Sequence, residues 1–360
     1  MARFQPAFPI LVQQHFCHEA CEPSLSCLSV YRHSYSSRTR QEDGLVRYLS
    51  VLIPFTLGLG YFLLGMYAMR TGFHLLAGKK MEAVLARFTQ TPTRSFMTGL
   101  LATFALQSSS AVTVVTIGLT HAGLIGFAQT VGIILGTNVG TTITTELLAL
   151  RLESLAVPML LVGAAFWLQP KRVIRCIGLV MGGFGLIFLG IDTMQVMAKP
   201  LEQSETFRNL FLESSHSVWI GLLTGTVFTA LIHSSSATTA ITMGLMTHQI
   251  MTMETALAVV LGANIGTCFT ALIASIGTNA ASRQVAWCHT LFNLAGALLF
   301  MPFLSSLANA AAFLTATPSL QIAHAQTIFN LVCSLLALPF AAQIARVIQW
   351  LVPDRASTRP

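Results

Sequence analysis

The sequence predicts an all-α polytopic membrane protein, built from two inverted-topology repeats whose broken or re-entrant helices meet at the membrane centre. Three observations predict it. First, the chain of 360 residues is 54% hydrophobic and only 9% charged, where soluble domains carry about 25% charged residues. Second, no Asp, Glu, Lys or Arg occurs between Arg94 and Glu146, between Glu213 and Glu254, or between Arg283 and Arg346. A bilayer crossing needs ~20 apolar residues, so these gaps hold several crossings. Third, the greasy part is duplicated.

Taken in order, residues 1–48 form a poorly structured N-terminal tail of Ser, Arg, His, Cys and Pro without the apolar core of a signal peptide. Its "HFCHEACEPSLSC" stretch, with Cys17, Cys21 and Cys27, has metal-capable side chains in a spacing that matches no zinc pattern. The candidate spans are 50–69, 96–120, 129–150, 155–168, 174–197, 217–247, 255–276, 285–307 and 323–350. Segment 155–168 is short for a crossing. Segments 96–120 and 217–247 carry Gly, Ser and Thr through their middles, which suits helices broken at membrane depth. Cys176, Cys268, Cys288 and Cys333 stand singly in apolar segments and read as small buried hydrophobes.

The formal charge of +7 does not indicate nucleic acid. Lys and Arg gather in short connections such as "GKK" and "KRVIR", where they orient membrane helices. The partners implied are the lipid bilayer and small solutes, with no nucleic acid; a homo-oligomer stays open.

At a shift of 126, Gly99 meets Gly225, Thr103 meets Thr229, Ser108–Ala111 meets Ser234–Ala237, and "LGTNVGT" at 135–141 meets "LGANIGT" at 261–267. Upstream, "LLGMYAM" at 63–69 meets "FLGIDTM" at 188–194 at a shift of 125, so one indel covers the whole comparison. The expected division is repeat 1 over 49–170, repeat 2 over 171–308, a C-terminal helical region over 309–350 and a short tail over 351–360. Loop 70–95 carries Arg70, Lys79, Lys80, Arg87 and Arg94 against Glu82; loop 198–217 carries Lys199 and Arg208 against Glu202, Glu205 and Glu213. Five basic residues against two place the equivalent loops on opposite sides, which makes the repeats inverted and the architecture that of an alternating-access transporter.

Three serines at a helix break present hydroxyls together with first-turn N–H groups, a site for an anion that uses neither Lys nor Arg. The Asn and Thr oxygens of "GTNVGTT" and "GANIGTC" suit a small hard cation. A lone Ser triplet is more often a helix-packing surface; here both copies repeat the triplet with Gly-x-Asn-x-Gly-Thr 28 residues on.

"QSSSAVT" with "GTNVGTT", and "HSSSATT" with "GANIGTC", resemble the type II sodium–phosphate cotransporters and their bacterial relatives over residues 50–350. "VAWCHTLFNLAGALLFMP" at 285–302 resembles the segment after the second repeat of that family, and "IAHAQTIFNLVCSLLALPF" at 322–340 echoes it. The resemblance implies a non-enzymatic, multi-pass transporter of the cell membrane that carries inorganic phosphate by symport with sodium and uses no cofactor beyond that ion. It implies Gln107, Ser108, Ser109, Ser110, His233, Ser234, Ser235 and Ser236 as substrate contacts. By the same resemblance Thr113, Asn138, Thr141, Thr239, Asn264 and Thr267 bind sodium, with no other metal. His233 stands where the family has a second Gln, and imidazole, unlike an amide, changes charge near neutral pH. Bacterial members often add a cytoplasmic regulatory domain; the sequence ends at Pro360, so none is expected.

Two alternatives remain at this level. One is another oxyanion or small carboxylate on the same scaffold. The other is a membrane hydrolase using His233 and a serine, which lacks a Gly-x-Ser-x-Gly elbow. Asp192, in a candidate span, is a functional candidate by position. Glu146 lies near the end of its span within reach of water, and His289 and His324 suit interhelical hydrogen bonds.

Overall fold

The computed structural model describes residues 52–76, 80–150, 153–196, 217–247 and 250–353. The tail cysteines and nearly all of loop 198–217 lie outside the described residues. The chain divides into residues 1–52, of which Leu52 alone is described, and a unit of residues 53–360. Among the described residues every regular element is a helix. Six are long and apolar enough to cross a membrane, the two longest containing a proline kink. The protein is an all-α polytopic membrane protein.

The first long helix, α1 (Leu52–Leu76), and the amphipathic α2 (Lys80–Arg87) precede the first broken segment. That segment consists of α3 (Pro92–Leu106) and α4 (Ser109–His121), followed by the 23-residue α5 (Phe127–Ala149). Thr91 caps α3 by accepting from the Arg94 N–H, with Pro92 in the first turn, where a missing N–H costs nothing. At ~1.5 Å per residue the 15 and 13 residues of α3 and α4 each span only ~20 Å, too short to cross.

Their path follows from glycine packing. Ser95 faces Gly132, Leu100 faces Gly136 and Thr103 faces Gly140. Residue numbers rise together, so α3 and α5 run parallel, and α4 between them must run back. Residues 92–121 are therefore a re-entrant hairpin that enters and leaves at one end of α5. The approach is close: a methyl on Gly136 would sit 2.0 Å from the Phe96 carbonyl oxygen.

Short helix α6 (Ala156–Trp167) and long helix α7 (Arg172–Gln195) come next, and then the hairpin is built again. Helices α8 (Val218–Ile232), α9 (Ser235–Thr247) and α10 (Met253–Ala274) reproduce α3, α4 and α5. Leu222 faces Gly262 and Thr229 faces Gly266, and a methyl on Gly262 would again fall 2.0 Å from a carbonyl oxygen, that of Leu222.

The equivalent helices α1 and α7 pack against each other with Gly58 at Gly190, Gly65 at Gly183 and Gly72 at Val180. Here residue numbers run in opposite senses, so the pair is antiparallel.

Two kinked helices follow the repeats. Helix α11 (Ala280–Phe300) continues through a tight turn at Pro302 into α12 (Leu304–Leu314). Helix α13 (Pro318–Ala337) continues through Pro339 into α14 (Ala341–Leu351). Proline removes the i−4 hydrogen bond and crowds the preceding turn, so the break falls there in both. Each kinked helix is tied to one repeat by an asparagine pair. Asn138 Nδ2 donates to Asn293 Oδ1 at 2.7 Å, and Asn264 Nδ2 donates to Asn330 Oδ1 at 3.4 Å.

Two sequence readings change. Arg70 is not in a loop: it lies in α1, which continues to Leu76. The basic count for the first connection drops from five to four, because an apolar helix can hold an arginine where a cavity or partner helix receives it. Asp192 is exposed and stands one turn from the end of α7 rather than in the middle of its span.

Candidate functional site

Each hairpin turns at a residue in the left-handed conformation. Gln107 has φ 51° and His233 has φ 53°, the only non-glycine residues with positive φ among those described. Left-handed backbone is costly for L-residues, and the same outlier at the same repeat position marks both tips as built for a purpose.

The next residue caps the returning helix. Ser108 Oγ accepts from the Ala111 N–H at 3.2 Å, and Ser234 Oγ accepts from the Ala237 N–H at 3.3 Å. The first serine of each triplet is thus an N-cap. The second and third, Ser109 with Ser110 and Ser235 with Ser236, occupy the first turns of α4 and α9, where N–H groups have no intrahelical acceptor. The positive ends of two helix dipoles meet here.

Both tips line one narrow polar cavity, with a volume of about 10 Å³, room for roughly one water molecule, so the tips stand nearly closed on each other. Its walls are the two serine triplets, Gln107, His233, Thr141, Thr103, Thr144 and Arg70. The sequence singled out Gln107, Ser108, Ser109, Ser110, Thr141, His233, Ser234, Ser235 and Ser236, and the structure gathers them all.

The two repeats brace their tips in the same way. Thr144 Oγ1 donates to Gln107 Oε1 at 2.8 Å, and Thr270, its equivalent at a shift of 126, contacts His233 Nδ1 at 3.1 Å. Gln107 Nε2 donates to the Phe104 carbonyl at 2.7 Å. The Gln107 amide is therefore engaged at both ends within the protein, and His233 serves as the brace of the second tip.

Of the six proposed cation residues, Thr141 lines the cavity. Thr113, Asn138, Thr239, Asn264 and Thr267 do not line the cavity. Thr113, Thr141 and Thr267 donate to carbonyls one turn back, those of Ser109, Thr137 and Ala263. Asn138 and Asn264 hold the kinked helices, as described above. The Thr239 hydroxyl is fully buried and has no hydrogen-bond partner.

Sequence reasoning missed three wall residues. Thr144 lies one helical turn beyond Thr141, a spacing that was legible. Thr103 was noticed only as a repeat match. Its buried hydroxyl has no partner, whereas its equivalent Thr229 is hydrogen-bonded to Thr238; repeat 1 has Val112 where Thr238 stands. Arg70 had been assigned to a loop. Its Nε donates to the Gln107 carbonyl and its Nη2 to Ser234 Oγ, both at 3.3 Å, so it touches the two tips at once.

Glu146 and His324 also meet. His324 Nδ1 and Thr327 Oγ1 lie 3.0 and 2.7 Å from Glu146 Oε1, joining α5 to α13. His289 is buried, and its Nδ1 has no hydrogen-bond partner.

Among known proteins, the chain is 38% identical over 268 residues to "Uncharacterized protein YqeW" of Bacillus subtilis, covering 74% of this chain and 87% of the relative. It is 29% identical over 246 residues to "Putative inorganic phosphate export protein YjbB" of Salmonella typhimurium, covering 68% of this chain and 45% of that longer relative. A third relative, "Sodium-dependent phosphate transport protein 2A" of Rattus norvegicus, is 25% identical over 155 residues, 39% of this chain and 24% of its own length. No solved structure matches the chain. The family profile matches twice, over residues 61–196 and 194–322, once for each hairpin, and the chain belongs to the Na+/Pi-cotransporter family.

Proposed function

We propose that this protein is a secondary transporter that moves inorganic phosphate across the cell membrane by symport with sodium. The observation that carries this reading is the cavity itself, where two hairpin tips from two repeats present four first-turn serines to one small space. Hydroxyls and helix N-termini can replace the hydration of a tetrahedral oxyanion. The family and the two relatives named for phosphate transport support the substrate. The relative named for sodium dependence supports the coupling ion; the export named for YjbB makes efflux the competing direction.

Inverted repeats fit the antiparallel packing of α1 on α7, and rocking of one repeat against the other around the tips would expose the cavity alternately. Hydrolysis fits the geometry poorly. His233 Nδ1 faces Thr270, while Ser234 Oγ is occupied by the Ala237 N–H and Arg70, so the pair is not arranged as nucleophile and base.

The test is radiolabelled phosphate flux in proteoliposomes with sodium or potassium gradients, in both directions. Sodium-driven uptake is expected in wild type. Ser109→Ala and Ser235→Ala should each lower it by about tenfold or more, since a hydrogen bond to an ion contributes ~1.5–3 kcal/mol. Wild-type flux in both variants removes the serines from the substrate path, and flux indifferent to sodium removes the coupling.

A further inference from the structure

We propose that Arg70 is a direct ligand of the transported anion, supplying the full positive charge that the serine tips lack. This rests on the reading of the cavity as an anion site, and names the residue that sets its charge.

Arg70 is half-buried on a long apolar helix, a position where an ionised side chain is expensive and calls for a counter-charge. None is found among the described residues. The ion pair among the described residues joins Glu146 to His324, and no described carboxylate pairs with Arg70. Of the five N–H donors of the guanidinium, two are engaged, and both acceptors are neutral: the Gln107 carbonyl and Ser234 Oγ, each at a long 3.3 Å. Ser234 Oγ already accepts from the Ala237 N–H as a helix cap, so its bond to Arg70 is the one that an anion would replace.

A second observation points to the same ligand. Thr103 is 0% exposed, lines the same cavity and offers a hydroxyl with no partner. A buried donor left unpaired is costly, and an oxyanion in the cavity satisfies it. Arg70, Thr103 and the first-turn N–H groups of α4 and α9 then face the anion from four elements. Arg70 bridges the two tips. With an oxyanion present, its planar fork is matched to two oxygens at once. The positive charge is carried by one repeat alone: the position equivalent to Arg70 at the shift of 125 is Gln195. The two halves of the site are thus unequal, with the guanidinium on the side of hairpin 1.

The experiment uses the full chain, purified and also reconstituted, as wild type, Arg70→Gln and Arg70→Lys. Two quantities are read: the thermal stabilisation produced by phosphate at saturating sodium, and the phosphate KM, Vmax and sodium half-saturation of transport. In Arg70→Gln the phosphate-induced stabilisation is expected to vanish and the phosphate KM to rise about tenfold or more, the effect of losing a charge-assisted hydrogen bond. Its melting temperature without phosphate should stay close to that of wild type. Arg70→Lys keeps the charge without the fork and should fall between.

A phosphate KM and stabilisation unchanged in Arg70→Gln would overturn the proposal. So would a loss of Vmax at unchanged KM, which marks Arg70 as a strut between the tips. Should Arg70→Gln fail to fold, the Lys variant decides, and an unchanged phosphate KM there overturns the proposal. Wild type stabilised by sulfate and not by phosphate overturns only the phosphate reading, and the Arg70 variants are then read on sulfate. Wild type that responds to neither, nor to arsenate, overturns both.

Discussion

At the scale of single residues, the hairpin tips show how one backbone geometry accepts two side chains. Gln107 and His233 share a left-handed φ and a threonine 37 positions on, and histidine is among the residues that tolerate that conformation better than most. Since the brace is what the two have in common, His233→Gln should keep the contact to Thr270 and retain sodium-dependent flux within about twofold, a change worth less than ~0.5 kcal/mol. His233→Ala leaves Thr270 unbraced and should lower flux several-fold, with unchanged amounts of protein in the membrane. Flux measured on matched reconstitutions decides, and a Gln variant as poor as the Ala variant would mean that the imidazole itself is needed. The cysteines behave as their surroundings dictate: Cys176, Cys268, Cys288 and Cys333 are free and buried, as expected of small apolar fillers.

At the scale of elements, the seam between each hairpin and its long neighbour is the part least able to change. Gly136 and Gly262 each place a carbonyl oxygen where a methyl would collide, at 2.0 Å, with backbone on the opposing side that cannot swing away. Gly136→Ala therefore has to separate α3 from α5, and Gly262→Ala has to separate α8 from α10. Overpacking of this kind costs about 1–3 kcal/mol, and it also shifts the tip that the seam aims at the cavity. Each variant should melt several degrees below wild type in detergent and lose most of its flux. Gly118→Ala, with nothing near its added methyl, is the control and should do neither. An alanine at Gly136 that melts with wild type would show that the hairpin can slide on α5.

At the scale of the whole molecule, inversion of the repeats predicts where the hairpins open. The base of hairpin 1 lies at Gly123–Gly126, and its equivalent in hairpin 2 is around Ile250, 126 residues on. In a background without the seven native cysteines, Leu124→Cys and Ile250→Cys should react with a membrane-impermeant thiol reagent from opposite faces. Labelling from the same face would make the repeats parallel and leave rocking around the tips without a basis. The antiparallel seam of α1 on α7 favours the first outcome, independently of the loop charges.

The sequence by itself determined the all-α membrane fold class and singled out most of the residues that line the cavity. Chain composition decides the solvent, so 9% charged residues and long uncharged runs require helices that satisfy their own backbone. Duplication carries geometry with it, so "QSSS" and "HSSS" in step with "GTNVGT" and "GANIGT" mark the two tips in the sequence. Tertiary structure alone decided three things. Whether residues 92–121 cross or turn back depends on the parallel packing of α3 on α5, a relation between helices that no local pattern encodes. Whether Thr103 is satisfied depends on Val112 standing where the other repeat has Thr238. Where Arg70 points depends on how far α1 continues and which neighbours it meets: in sequence it is one more basic residue beside a loop, and in space it is the guanidinium that, among the described residues, stands on the cavity wall.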